Sequence, residues 1–188
     1  MDIIEEKKYE SQDFTKEELQ RAVYEYCVFE NCNFANVYLT GFRFLECTFK
    51  GCNFSNASFA EASFQKVNFI SCKMIGIAFE ECNSFNLSMY FDQCNLDHCS
   101  FYQMDIQKFK FEKSSFIEAD FTEVNAKRIS FPACDFERTT FDNSDLQNTD
   151  FTSAYNYTIS PTGNKIRGAK FSKDGVGGLL VGFGVVVE

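Results

Sequence analysis

The sequence predicts a solenoid with flat walls and tight corners, because its large apolar residues recur with a period of five. The central positions of this repeat are Phe29, Phe34, Leu39, Phe44, Phe49, Phe54, Phe59, Phe64, Phe69, Met74 and Phe79. A strand alternates every two residues and a helix repeats about every 3.6, so neither places these residues on one face. The residue two positions before each centre is small or apolar, and the other three are mostly polar. Two inward and three outward residues in each unit indicate short walls joined by corners.

This pattern resembles the pentapeptide-repeat family, whose consensus is roughly A(D/N)LXX. The segments that carry the resemblance read CNFAN, CTFKG, CNFSN, ASFAE, ASFQK and VNFIS. The resemblance implies an all-β fold, a right-handed quadrilateral parallel β-helix with four repeats in each coil. We expect about 6–8 coils, with a short C-terminal helix or strand as a cap.

Residues one coil apart, twenty positions along the chain, are expected to stack at the strand-to-strand spacing of about 4.8 Å. The stacked core residues predicted in this way are Phe29, Phe49 and Phe69, followed by Phe91, Phe111, Phe131 and Phe151. Truncation of one such ring is expected to destabilise the fold strongly.

The chain divides into three predicted segments. Residues 1–23 are expected to form a cap or a degenerate first coil, because Phe14 and Leu19 already lie on the five-residue grid. Residues 24–156 form the β-helix, and residues 157–188 form a C-terminal cap and dimerisation segment. Atypical terminal repeats are common in solenoids, since they cover the open ends of the core.

Two extra residues interrupt the repeat between Phe79 and Phe91. The segment 82–85 predicts a corner enlarged by one residue, and a second addition is expected near Tyr90. A structural bulge over residues 82–91 is the favoured interpretation. The alternative is a kink that shapes a binding surface.

Composition argues against contact with nucleic acid or anionic membrane. The chain has 188 residues, which suggests one domain, and a formal net charge of −9. Residues 1–10 are charged and do not resemble a secretory signal, and no apolar run reaches membrane-spanning length. A cytoplasmic location is therefore expected.

No catalytic or metal-binding pattern is expected. All nine cysteines occupy the small inward position two residues before a centre, where a free thiol behaves as a buried apolar group. His98 lies at an outward position while Cys94 and Cys99 point inward, which disfavours a nucleophile–base pair. Phosphate loops and hydrolase motifs are missing from the sequence. We expect no enzymatic activity and no cofactor.

The outward acidic residues are the candidates for a partner-binding surface. Residues 24–156 carry a net charge of −8, from 18 acids and 10 bases. The candidates are Asp92, Asp97, Asp105, Glu112, Asp120, Glu137 and Asp142. Asp92 should stack with Glu112, and Glu118 should stack under Arg138. The acids do not otherwise form one stripe in the sequence, so a merely solvated acidic surface is an equal alternative.

The two ends of the chain are similar to those of the gyrase-protecting branch of the family, the Qnr and mycobacterial fluoroquinolone-resistance proteins. The similarity lies in QDFTKEEL and VFENCNF near the start, and in IRGAKF and GGLLVGFGVVV near the end. In that branch a comparable end forms a two-fold dimer. The resemblance therefore implies a homodimer, with a short helix and a final strand at 185–187. The candidate dimerisation residues are Leu179, Leu180, Phe183 and Val185.

The same resemblance implies a DNA mimic that binds DNA gyrase or topoisomerase IV and modulates quinolone sensitivity. Such a rod copies the width and negative charge of a duplex, which carries one charge per about 1.7 Å. No long loop projects from the repeat, in contrast to some Qnr proteins. This difference argues against drug protection more than against binding. A general interaction scaffold with an unrelated partner is the alternative, and a rigid spacer is a third hypothesis.

Overall fold

The computed structural model describes residues 1–185 as a parallel β-solenoid of about eight turns. The predicted all-β solenoid is confirmed. Each turn presents four short walls, which we name wall A to wall D in chain order. Wall A contains the central residue Phe29, wall B Phe34, wall C Leu39 and wall D Phe44.

Short strands form walls A and D. The twelve strands of the described residues are β1 (Ile3–Glu5), β2 (Lys8–Glu10), β3 (Val23–Glu25), β4 (Val28–Glu30), β5 (Arg43–Leu45), β6 (Thr48–Lys50), β7 (Ser63–Gln65), β8 (Val67–Ile70), β9 (Met89–Asp92), β10 (Lys110–Glu112), β11 (Asp150–Phe151) and β12 (Lys170–Phe171). Wall A is the parallel sheet β2-β4-β6-β8-β9-β10, and wall D is the parallel sheet β1-β3-β5-β7. β11 and β12 pair in parallel near the end of wall A.

Walls B and C are held by single bridges between successive turns. Wall B runs from Asp13 through Asn33 and Asn53 towards Tyr155. Wall C includes the bridges Tyr38↔Ser58, Ala78↔Ser100, Ser100↔Asp120 and Asp120↔Thr140. These registers fix which side chains share a wall.

The corners have a common backbone conformation. The residue two positions after most centres is left-handed, as at Asn31 (φ 53°), Gly41 (φ 74°) and Glu61 (φ 57°). Glycine and asparagine adopt this conformation most readily, and other residues adopt it at some cost. The five-residue repeat is therefore set by one apolar centre and one left-handed corner in each unit.

Aromatic rings form a continuous column behind wall A. Ring centroids are 4.7 Å apart for Phe29 and Phe49, and 5.2 Å for Phe49 and Phe69. The pair Phe69 and Phe91 is also stacked, at 5.3 Å, although 22 residues separate them. The predicted stacks are confirmed, and the structure joins them into one column. Its members are Tyr9, Phe29, Phe49, Phe69, Phe91, Phe111, Phe131, Phe151 and Phe171.

The two extra residues both precede Met89. The backbone N–H of Asn83 donates to Ala62 O, 21 positions earlier, which is the offset of this hydrogen bond in the regular turns. Val67 pairs with Met89, 22 positions later, whereas paired residues in the regular turns are 20 positions apart. The prediction of a second addition near Tyr90 is therefore wrong, since Tyr90 is already back in register with Asn68. A 3-10 helix, Phe79–Glu81, replaces the left-handed corner that is due at residue 81. We call residues 82–88 the bulge.

Inward thiols and hydroxyls contact the carbonyls of the previous turn. Cys47 Sγ lies 3.3 Å from Tyr24 O, and Cys72 Sγ lies 3.4 Å from Phe49 O. In later turns the hydroxyls of Thr139 and Thr149 donate to the equivalent carbonyls. All nine cysteines are free and buried, and burial raises the pKa of Cys47 to about 12. The predicted inward position of the cysteines is confirmed.

The C-terminal segment differs in detail from its prediction. Two 3-10 helices, Val176–Leu179 and Val181–Phe183, stand where one short helix was expected. Five glycines between residues 175 and 184 disfavour an α-helix. The predicted final strand lies largely outside the described residues, which end at Val185. No helix of the described chain is long and apolar enough to cross a membrane.

Candidate functional site

Wall C carries acidic side chains and no basic ones over five consecutive turns. Its outward residues are those one before, one after and two after each of the centres Phe59, Phe79, Phe101, Phe121 and Phe141. The acidic residues of wall C are Glu61, Glu80, Glu81, Asp120, Glu123 and Asp142. Walls A, B and D each carry lysine or arginine among their acids over residues 24–156. The negative charge of the rod is thus concentrated on one side.

The charges of wall C have a spacing comparable with one strand of DNA. Four steps of about 4.8 Å separate the first and last of these turns, a length of about 19 Å. Six carboxylates over this length give one charge per roughly 3–4 Å, and a DNA strand carries one per about 3.4 Å. The linear charge density of wall C is therefore close to that of one strand of a DNA duplex.

The acids of wall C are not neutralised by neighbouring side chains. Within residues 1–185 none of the six takes part in a salt bridge, and all except Asp120 are largely exposed. Their partners are neutral. Ser100 Oγ donates to Glu80 at 2.8 Å, and Gln103 Nε2 donates to Glu123 at 2.8 Å. The carboxylates keep free lone pairs for an incoming cation.

Six of the twelve acids on the other walls over residues 24–156 are paired with cations. On wall A, Glu30 lies between Lys8 at 2.8 Å and Lys50 at 3.3 Å, and hydrogen bonds from these lysines lower the pKa of Glu30. On wall B, Arg138 donates to Glu118 at 2.8 Å, as the predicted stacking of these residues requires. Exposed pairs of this kind contribute little stability, but they cancel the local charge.

The predicted acidic candidates are distributed over all four walls. Asp120 and Asp142 lie on wall C, and Asp105 lies on wall D, one residue beyond the corner with wall C. The structure places Asp92 and Glu112 on wall A, and Asp97 and Glu137 on wall B. It does not bring the seven together as one surface.

Sequence reasoning missed the acids of wall C that precede the bulge. Glu61, Glu80 and Glu81 stand in the first register of the repeat, and the candidates were taken from the second. Counting by twenty, with two residues added across the bulge, would have aligned Glu61 and Glu81 with Glu123, and Glu80 with Asp142. The alignment could have been found in the sequence, but only after both extra residues had been located.

The predicted stacking of Asp92 with Glu112 is present on wall A. The two residues are paired in register between β9 and β10. Asp92 Oδ1 is buried and accepts no hydrogen bond, and burial together with the charges of Asp92 and Glu112 raises the pKa of Tyr90. Since Lys110 lies in the same strand as Glu112, this patch has mixed charge.

The histidine and the cysteines do not form a reactive group. The His98 imidazole is exposed and lies 3.3 Å from Glu118, whereas Cys94 and Cys99 are buried on the other side of the backbone. Among residues 1–185, no group of three or more histidine, cysteine or acidic side chains is placed to hold a metal ion.

The candidate dimerisation residues are partly accessible. Phe183 is 57% exposed and Val185 is 53% exposed, while Leu180 is half-buried. Leu179 packs against the core of the solenoid. The apolar surface at this end is extended by Val176 and Val181.

The fold and the acidic wall define a class of repeat protein, a solenoid built of five-residue units with a charged exterior. Two family models match the sequence: "Pentapeptide repeat region" over residues 17–89, and "Pentapeptide repeats (8 copies)" over residues 119–155. These matches together cover more than half of the chain. The protein therefore belongs to the pentapeptide-repeat family.

Solved structures of the family have the same fold. Two trypsin-treated variants of QnrB1, described as a plasmid-mediated fluoroquinolone resistance protein, superpose with TM-scores of 0.65 and 0.59. The first is 18% identical and the alignment covers 98% of this chain and 99% of QnrB1. The second is 19% identical and covers 99% and 100%. A search of curated proteins found no match to this sequence. At these identities the likeness establishes the fold.

Proposed function

We propose that this protein binds a type II topoisomerase, DNA gyrase or topoisomerase IV, by presenting wall C to the basic surface that otherwise holds duplex DNA. The observation that carries the proposal is the concentration of unpaired carboxylates on wall C. The family resemblance supplies the class of partner, and a cytoplasmic location accompanies it. Binding requires no catalysis by this chain.

The physical basis of the proposed binding is electrostatic complementarity. A surface that holds DNA has a high density of lysine and arginine, which attracts an acidic rod at long range. Added salt screens exposed charges, with a Debye length of about 8 Å at physiological ionic strength. Affinity should therefore fall steeply with salt, as the affinity of such a surface for DNA does.

We further propose a homodimer through the C-terminal segment. Eight turns give a rod of about 40 Å, and a two-fold dimer would extend the rod to about 80 Å. The exposed Phe183 and Val185 supply the apolar surface that such an interface would cover. Phe183→Asp should convert the dimer to a monomer in light scattering after size exclusion. Phe85→Asp is the matched control, because Phe85 is 68% exposed but far from this end of the chain. A monomeric native protein would contradict the proposal.

The direct test is DNA supercoiling by gyrase with this protein titrated in, at low and high salt. We expect inhibition at low salt that fades as salt is added. A variant with Glu61→Gln, Glu81→Gln and Glu123→Gln should inhibit at least tenfold less well. A matched control with Glu10→Gln, Glu112→Gln and Glu137→Gln removes the same charge from walls A and B. If the two triple variants lost inhibition equally, inhibition would depend on the net charge of the protein alone, which would contradict a role for wall C.

Modulation of quinolone sensitivity is tested by adding ciprofloxacin to the same reaction. Relief of drug-stabilised DNA cleavage would support a protective role. Inhibition without relief would leave the protein as a topoisomerase ligand that does not protect, in line with the short bulge that stands in place of a long loop. No effect at micromolar dimer would refute the proposal and favour a scaffold with an unrelated partner.

A further inference from the structure

The bulge opens a groove on the corner between walls C and D. Parallel pairing along wall D stops at β7 and resumes with the bridge Asp105↔Asn125, so no bridge joins Ser63 to Asp105 among the described residues. The groove has a volume of about 560 Å³ and lies between the bulge and residues 102–108 of the next turn. Its size lies within the range of about 300–1,000 Å³ that is usual for ligand sites.

The floor of the groove is apolar. Leu87 and Met104 line it and are each 9% exposed, and Tyr102 is 38% exposed at its side. The neighbouring Phe85 is 68% exposed, whereas the phenylalanines at the repeat centres are buried. A methionine adapts to a side chain of irregular shape, and an aromatic ring offers it a flat apolar face.

The charges around the groove are mainly negative. Glu80 and Asp105 line it, and neither takes part in a salt bridge within residues 1–185. Asp105 accepts hydrogen bonds from the backbone and side chain of Gln107, and Glu80 accepts one from Ser100. One cation, Lys108, stands among the lining residues. The carboxylates retain acceptor capacity, since an ionised carboxylate has about four lone-pair sites.

We propose that this groove binds an extended segment of a partner protein through an arginine that is followed by an apolar residue. The guanidinium would stack on Tyr102 and donate to the carboxylates of Glu80 and Asp105. The apolar neighbour would cover Leu87 and Met104. Arginine suits the site better than lysine, because its planar group stacks on aromatic rings and donates two hydrogen bonds in parallel. Lys108 repels a second cation and so sets the direction of the segment.

This site shares Glu80 with wall C, but its ligand differs from the topoisomerase proposed for that wall. Its ligand is defined by the lining of the groove, and the groove would bind such a segment even if wall C bound no topoisomerase. The two proposals therefore fail or succeed separately.

The test is a titration of the ¹⁵N-labelled protein with short peptides, followed by backbone chemical shifts. The probe is acetyl-Gly-Arg-Leu-Gly-amide, compared with analogues in which citrulline or glutamate replaces arginine. We expect saturable shifts centred on Leu87, Met104 and Asp105, with a Kd of about 1 mM or tighter. Citrulline keeps the shape but loses the charge and should bind about tenfold more weakly, and the glutamate peptide should not bind.

Matched variants separate the groove from the rest of the acidic surface. Asp105→Asn should weaken binding of the arginine peptide about tenfold. Asp145→Asn is the control, because Asp145 occupies the same column of wall D and makes the same contacts with Gln147. Tyr102→Ala should also weaken binding of the arginine peptide, and since Tyr102 is partly exposed this substitution should leave folding intact.

Three outcomes would overturn the proposal. Equal binding of the arginine and citrulline peptides would remove the role of the carboxylates. Shifts spread along wall C, unchanged by Asp105→Asn and Tyr102→Ala, would show non-specific attraction. Shifts at the groove that arise from raising the protein concentration alone would identify a second copy of this chain as the occupant.

Discussion

Walls A and D respond differently to the same two extra residues. On wall A the ring column continues through the insertion, with Phe69 and Phe91 stacked at 5.3 Å. On wall D the sheet ends at Gln65, and the outward segment contains the exposed Phe85. An insertion is therefore absorbed within wall D of one turn, while the adjacent wall A keeps its stacking. A solenoid can thus acquire a local site without loss of its core.

The largest expected effect comes from breaking the column on wall A next to the bulge. Phe91→Ala removes a fully buried ring that stacks on both Phe69 and Phe111. We expect the free energy of unfolding to fall by about 3–5 kcal/mol, measured by chemical denaturation. Phe85→Ala is the control and should change it by less than about 0.5 kcal/mol. Similar losses in the two variants would show that the bulge is as tightly packed as the column.

An intermediate effect is expected from restoring the repeat on wall D. Deletion of Ser84 and Leu87 leaves the sequence Cys82-Asn83-Phe85-Asn86-Ser88, in which Phe85 falls on the central position. Burial of this ring is partly offset by the loss of the buried Leu87, so the free energy of unfolding should rise by about 1 kcal/mol. Chemical denaturation measures the change, and the groove shifts caused by the arginine peptide should disappear. A less stable variant would mean that the bulge is required for the turn above it.

The smallest effect concerns the charges on the outer surface of wall A. The pKa of Glu30 is lowered from its ordinary value of 4.5 by Lys8 and Lys50. A carboxylate with a lowered folded-state pKa contributes stability above its unfolded pKa, and this contribution is lost as the pH falls through the folded-state pKa. Lys8→Met with Lys50→Met should raise the pKa of Glu30 towards 4.5 in an NMR titration. Stability should then depend less on pH below that value. An unchanged titration would show that the ion pairs are not formed in solution.

The sequence predicts the regular parts of this molecule better than its exception. Phe29, Phe49 and Phe69 stack as expected because one repeat dictates both their burial and their spacing. Of the two extra residues, the second was predicted too late in the chain, near Tyr90, since the residues before it offer no apolar pattern that distinguishes one corner from the next. The acidic wall was missed for the same reason, because the alignment of Glu80 with Asp142 depends on where the two extra residues fall. The C-terminal 3-10 helices escaped prediction because glycine gives little local preference.

The buried thiols provide a way to follow local opening along the rod. Each turn of a solenoid contacts only its neighbours, so the ends can fray while the middle stays closed. Cysteines from Cys27 to Cys134 stand at successive heights, and all are buried in the native state. A thiol reacts with an alkylating reagent only after its turn opens to solvent. Mass spectrometry of the labelled cysteines would thus compare the opening of five turns, those of Phe29, Phe49, Phe69, Phe91 and Phe131, in the native protein without any substitution.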